Sequence, residues 1–130
     1  MKISLQDVIA AKTSCEKFLS KNFSAKTSFR LAKLKKELEI LNQSFLEAKD
    51  KCLEKYGEKD ENGKLVINTD NNGLSFSPIP LENQGMFTKE LIEILEEEVE
   101  VSETFFTIDD FGEELLSGED LLGLLPFIKE

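Results

Sequence analysis

The sequence predicts an α+β protein, mainly α, built on a long antiparallel helical hairpin of residues 5–21 and 28–56. Three observations support this class: an apolar stripe at helical spacing, a heptad seam after it, and two turn signals followed by β-favouring residues. The composition, 40% hydrophobic and 32% charged over 130 residues, is ordinary for a globular protein and too apolar for disorder.

The first predicted helix begins at a capping box, in which Ser4 and Asp7 can satisfy free backbone amides. Apolar residues then recur every three or four positions, at Leu5, Val8, Ala11, Cys15 and Phe18. A polar break at residues 22–28 separates this helix from the next.

The second predicted helix carries the clearest pattern in the sequence, an apolar seam spaced alternately three and four residues apart. Its members are Leu31, Leu34, Leu38, Leu41, Phe45, Ala48 and Cys52. Such a seam packs helix against helix, either within the chain or between copies, and the intramolecular hairpin is favoured here. Because this helix is the longer one, Leu46, Leu53 and Tyr56 lie on an overhang that the C-terminal half is expected to cover.

Residues 58–130 are predicted to form a small α+β portion that packs on this overhang, next to the helical hairpin of residues 1–57, within one domain overall. Turn signals at 60–63 and 70–73 precede Leu65-Val66-Ile67 and Leu74–Ser77, which predicts a β-hairpin. A third helix is expected at 89–98, strand character over 99–108 and strongest at 105–108, and a short helix opened by Ser117 and ended near Pro126. No internal repeat is evident.

The composition excludes several common kinds of catalytic site. The chain has no histidine, and so lacks the commonest general base and the usual zinc ligand. Cys15 and Cys52 are expected to be buried free thiols, and we expect no cofactor and no enzymatic activity. No signal peptide or membrane-spanning run is evident. A calcium loop starting at Glu58 would need a bidentate Glu where Thr69 stands, so a plain turn is favoured.

The charge is unevenly distributed along the chain. Residues 1–60 contain 13 Lys/Arg and 9 Asp/Glu, whereas residues 61–130 contain 3 and 17. The two halves therefore attract each other, or the acidic half faces a basic partner. A basic patch on the second helix is expected to pair with this acidic half more readily than with nucleic acid; it comprises Lys26, Arg30, Lys33, Lys35 and Lys36.

The C-terminal run of residues 121–128 has two interpretations. It can close the core, which is favoured, or it can be a docking peptide for a partner. The candidate partner-binding residues are Leu121, Leu124, Leu125, Phe127 and Ile128.

The order of these motifs resembles a family of small uncharacterised proteins of tailed bacteriophages and prophages. The likeness lies in the capped first helix and in residues 27–33 (TSFRLAK), 54–63 (EKYGEKDENG), 96–101 (EEEVEV) and 117–128 (SGEDLLGLLPFI). Residues 71–73 and 77–80 look like an elaboration of the family's middle region. The resemblance brings no catalytic residues, and it implies a phage-encoded protein that acts by binding.

We therefore expect a non-enzymatic protein-binding module, either a minor virion component or an assembly factor, that contacts a phage structural protein. The alternative is an acidic inhibitor directed at a host protein, of the anti-defence or nucleic-acid-mimic type. Both place the protein in the host-cell cytoplasm or the virion, without direct binding to nucleic acid or membrane. The oligomeric state is left open.

Overall fold

The protein is an α+β molecule, mainly α, in a computed structural model that describes residues 1–129. The helices are α1 (Leu5–Phe18), α2 (Ala25–Tyr56), α3 (Leu81–Leu95) and α4 (Gly118–Gly123), with short 3₁₀ turns at Ile108–Phe111 and Leu125–Phe127. The strands are β1 (Lys2–Ser4), β2 (Asn68–Thr69), β3 (Ser75–Phe76) and β4 (Glu98–Glu100). The predicted fold class and the pair of long helices are confirmed, although α1 ends three residues earlier and α2 begins three residues earlier than expected.

The chain divides into two compact units. Residues 1–43 and 96–130 form the first, and residues 44–95 form the second. The predicted division after residue 57 does not coincide with this one. The first unit joins segments of opposite charge: residues 1–43 contain nine Lys/Arg against four Asp/Glu, and residues 96–130 contain one against twelve, so these distant segments attract each other.

The first unit is closed by a strand pair that the sequence analysis did not predict. β1 and β4 are antiparallel, with Ile3 opposite Val99, and the Leu5 amide donates to the Glu97 carbonyl at 2.9 Å. Beside this pair, the Ser4 hydroxyl accepts from the Asp7 amide at 3.1 Å and caps α1 as predicted.

The core of the first unit contains the apolar stripe of α1 and the first half of the α2 seam. Val8, Cys15 and Phe18 are fully buried, and so are Leu31 and Leu38. An aromatic cluster joins α1 to the 3₁₀ turn at Ile108–Phe111, because the Phe18 ring meets the Phe111 ring edge-on at 5.2 Å between centroids. The seam therefore packs within the chain over this stretch.

The second unit consists of the last part of α2, two successive hairpin turns and α3. The predicted hairpin is present, but its paired residues are Asn68 with Phe76 and Thr69 with Ser75, a few positions later than expected in the first strand. α3 begins directly after Pro80, eight residues before the predicted start, so that Thr88 lies inside the helix.

The overhang of α2 is contacted by α3, a helix within residues 58–130, the portion that was expected to cover it. The Tyr56 hydroxyl donates to Glu90 at 2.9 Å, and the Asn83 side-chain amide donates to the Tyr56 carbonyl at 3.1 Å. The run of residues 121–128 belongs to the first unit.

Both cysteines are free thiols on buried helix faces, Cys15 in the first unit and Cys52 in the second. Burial raises the pKa of the Cys15 thiol to about 12. Within residues 1–129, no helix combines the length and the apolar character needed to cross a bilayer.

Candidate interaction surface

Residues 117–129, called here the C-terminal segment, pack on α1 as part of the first unit. Its backbone pairs with residue 106, because the Phe106 amide donates to the Phe127 carbonyl at 2.7 Å and the Lys129 amide donates to the Phe106 carbonyl at 2.8 Å. At Gly123, an added Cβ would overlap the Ser14 hydroxyl and lie 2.9 Å from the Ala10 carbonyl oxygen. This close approach requires glycine at the contact between α4 and α1.

Burial separates the five candidate docking residues of this segment. Leu124 and Phe127 are fully buried, Leu121 and Ile128 are half-buried, and only Leu125, at 59% exposed, faces solvent. Leu124 and Phe127 therefore cannot contact a partner in this conformation, which corrects that part of the docking hypothesis. For these two residues the core interpretation describes the structure.

Arg30, a residue of the basic patch, contacts the acidic residues 96–130. Its guanidinium stacks on the Phe106 ring at 4.5 Å, lies 3.5 Å from an Asp110 oxygen and donates to the Phe105 carbonyl. The Thr107 amide, and after it Arg30, hold the pKa of the Asp110 carboxyl below its usual range, while burial opposes them. Lys17 likewise pairs with Asp120 at 3.2 Å. The expected attraction between basic and acidic segments is thus present inside the first unit.

Other carboxylates of residues 96–130 are exposed. Residues 96–98, Glu103 and Glu113 face solvent. Within residues 1–129, no group of three potential ligands is arranged to hold a metal ion. A cleft of about 770 Å³ lies between residues 21–27 and 109–115, and its walls carry both lysine and carboxylate side chains.

The base of the hairpin region, residues 58–66, is anchored to the end of α2. The Glu58 amide donates to the Pro78 carbonyl at 2.9 Å, and the Val66 amide donates to the Glu58 carbonyl at 2.8 Å. Gly57 is required here by space, because an added Cβ would overlap the Leu65 side chain and lie 2.6 Å from the Leu53 carbonyl. Leu65 and Val66 are half-buried as a result.

The two turns of this region share one hydrogen-bond pattern. One oxygen of Asp60 accepts from the Asn62 and Lys64 amides at 2.8 and 2.9 Å, and one oxygen of Asp70 accepts from the Asn72 and Leu74 amides, both at 2.9 Å. Gly63 and Gly73 follow with φ of 77° and 80°. A repeated Asp-x-Asn-Gly motif, ten residues apart, therefore builds both turns; the sequence analysis missed this repeat although the letters show it.

We call residues 67–76 the distal hairpin. Each of its ten residues is exposed, and three of them are large and apolar: Ile67 at 67%, Leu74 at 66% and Phe76 at 46%. Leu74 and Phe76 are two positions apart along the same strand, so their side chains lie on the same face of the hairpin. Two-stranded hairpins are marginal in water, and this one exposes both faces. Turn chemistry holds it in shape while its apolar side chains stay uncovered.

No family model, curated protein or solved structure matches the chain.

Proposed function

We propose that the protein acts by binding another protein, without catalysis and without a cofactor, and that the distal hairpin supplies the contact. The observation that carries this proposal is the exposure of Ile67, Leu74 and Phe76 on a hairpin with no apolar cover. Large apolar side chains gain about 25 cal/mol for each Å² removed from water, so a partner that covers them gains affinity. Hot spots of protein interfaces are commonly buried anchors of this kind.

The proposed biological setting is a tailed bacteriophage or prophage. It is supported by the resemblance of residues 27–33, 54–63, 96–101 and 117–128 to the phage family. In this proposal the partner is a phage structural protein, met in the host-cell cytoplasm or in the particle, and the chain is a minor virion component or an assembly factor. Nucleic acid and membrane are not direct partners.

The second candidate is an acidic inhibitor of a host protein. The observation that favours it is the run of exposed carboxylates at residues 96–98, in a segment with one Lys/Arg against twelve Asp/Glu. Such a surface attracts basic sites, and its association rate falls as salt screens the charges. The preferred proposal instead relies on apolar contact, which salt weakens less.

The test is a pull-down with the tagged protein from phage-infected or induced cells, at low and high salt and with added DNA. We expect a phage structural protein that is retained at high salt and not displaced by DNA. The Leu74→Ser/Phe76→Ser double variant should lose it. Recovery of a host nucleic-acid-handling protein that salt and DNA displace would contradict the proposal and support the inhibitor.

A further inference from the structure

α3 is a helix of 15 residues, none of which is buried. The buried apolar residues of the second unit among those described are Phe45, Cys52 and Tyr56, and all three lie on α2. The first unit buries fourteen apolar residues among those described. A unit of about 50 residues with so few buried side chains is expected to need further contacts to be stable.

One face of α3 is exposed along its whole length. Successive helical residues turn by about 100°, so Leu81, Gly85, Thr88 and Ile92 lie within an arc of about 60°. All four are exposed, with Leu81 at 81% and Ile92 at 47%. The opposite face carries Asn83 and Glu90, which bond to Tyr56. We call the first set the outer face of α3.

The outer face is complementary to itself in an antiparallel arrangement. A two-fold axis between Gly85 and Thr88 places Leu81 of one copy over Ile92 of the other, with the two small residues at the crossing point. Gly85 has no neighbour within 4 Å of an added Cβ, so the second backbone can approach closely there.

The flank of the outer face adds charge complementarity. Glu82 and Lys89 are exposed and lie seven residues apart on the same side of the helix. In the antiparallel pair, Lys89 of each copy lies beside Glu82 of the other. Two symmetric ion pairs result.

We propose that the outer face of α3 is covered by the outer face of a second copy of this chain, in an antiparallel two-fold dimer. A 15-residue helix is about 22 Å long, which gives an interface at the small end of the specific range, below about 1,200 Å² in total. We therefore expect the dimer to have a dissociation constant in the micromolar range. This dimer is independent of the proposed function, because it uses α3 and not the distal hairpin.

The first test is sedimentation equilibrium over about 5 to about 500 µM, a range that brackets a micromolar dissociation constant. The wild-type chain should shift from monomer to dimer, and Ile92→Glu should stay monomeric. Leu115→Glu is the matched control, since Leu115 is 88% exposed in the first unit, and it should dimerise like the wild type. A wild-type monomer throughout, or a dimer that Ile92→Glu leaves intact, would overturn the proposal.

The second test exchanges the flanking charges. Glu82→Lys and Lys89→Glu should each dimerise about tenfold more weakly than the wild type, because each places like charges opposite each other. An equimolar mixture of these two variants should regain the wild-type affinity, because opposite charges then face each other in the mixed dimer. Circular-dichroism melting confirms that each variant is folded. If the mixture associates no better than its components, the antiparallel arrangement is wrong.

Discussion

Arg30 joins α2 to residues 105–110 through three contacts: stacking on the Phe106 ring, an ion pair with Asp110 and a hydrogen bond to the Phe105 carbonyl. The guanidinium and the carboxylate are each about one-third exposed, at 30% and 32%, so the solvent weakens the ion pair considerably. The Phe106 ring under the guanidinium is fully buried. Lysine cannot reproduce both the contact with this ring and the hydrogen bond to the Phe105 carbonyl, because it carries a point charge in place of a planar guanidinium with several donors.

Replacing Arg30 by Ala should therefore lower the free energy of unfolding by about 1–2 kcal/mol, the size expected for a partly exposed stack with one hydrogen bond. Arg30→Lys should recover less than half of the loss. The control is Lys33→Ala on an exposed position of the same helix, which should change little. Urea unfolding monitored by circular dichroism measures all three variants, and an equal effect of Lys33→Ala would contradict this role of Arg30.

The same contact makes stability depend on pH. The Thr107 amide, and after it the Arg30 guanidinium, lower the pKa of the Asp110 carboxyl in the folded state. A group with a lowered folded pKa contributes stability that is present above its unfolded pKa and is lost as the pH falls through the folded pKa. We expect the free energy of unfolding of the wild type to fall in acid more steeply than that of Asp110→Asn. Urea titrations from neutral pH down to about pH 3 measure the two slopes; parallel curves would contradict the assignment.

At the scale of elements, the long helices are predictable from sequence and the short strands are not. The seam from Leu31 to Cys52 specifies α2, because one apolar face at a fixed period requires a helix. β1 and β4 consist of three residues each and pair across almost the whole chain, so no local pattern marks them. The distal hairpin was predicted from its turn residues, but its lack of cover was not, because exposure depends on tertiary packing.

The contact between α4 and α1 was also beyond the sequence analysis. The capping box at Ser117 predicted the helix, and the Ser117 hydroxyl does accept from the Asp120 amide at 3.0 Å. Nothing local showed that Gly123 would lie against Ala10 and Ser14. Leu124 and Phe127, which come directly after this contact, are fully buried, so part of the run proposed as a docking peptide belongs to the core.

Gly123→Ala should destabilise the protein by about 1–3 kcal/mol, the usual cost of forcing an extra methyl group into a packed contact. Gly118→Ala is the matched control, because an added Cβ there meets nothing within 4 Å and the residue lies in the same helix. It should be neutral or slightly stabilising, since alanine favours helix. Thermal unfolding of both variants gives the comparison. Equal melting temperatures would show that α4 does not pack closely on α1.

At the scale of the whole molecule, the two units differ in how much apolar surface they bury. The first contains Val8, Phe18, Leu31, Phe106 and Phe127, all fully buried, whereas the buried apolar residues of the second among those described lie on α2 alone. Local stability follows buried apolar contacts, and regions with few of them open most easily. The division was not predictable from the sequence, because it joins segments that are far apart along the chain.

Amide hydrogen exchange should show this difference directly. Amides of α1 and of residues 31–38 should exchange slowly, through global unfolding, whereas amides of the distal hairpin should exchange within the shortest labelling times. At concentrations where the proposed dimer forms, α3 should become better protected. Uniform protection across residues 44–95 and 1–43 would contradict the difference in burial.

The central claim is that the distal hairpin is the surface by which the protein binds its partner. The most direct measurement is the dissociation constant for the purified partner, by calorimetry, with two double variants that remove similar exposed side chains. Leu74→Ser/Phe76→Ser changes the distal hairpin, and Leu122→Ser/Leu125→Ser changes the exposed side of the C-terminal segment, where these leucines are 67% and 59% exposed. We predict a loss of at least about tenfold, or about 1.4 kcal/mol, for the hairpin variant and less than about twofold for the other. The opposite order would contradict the account and assign binding to the C-terminal segment.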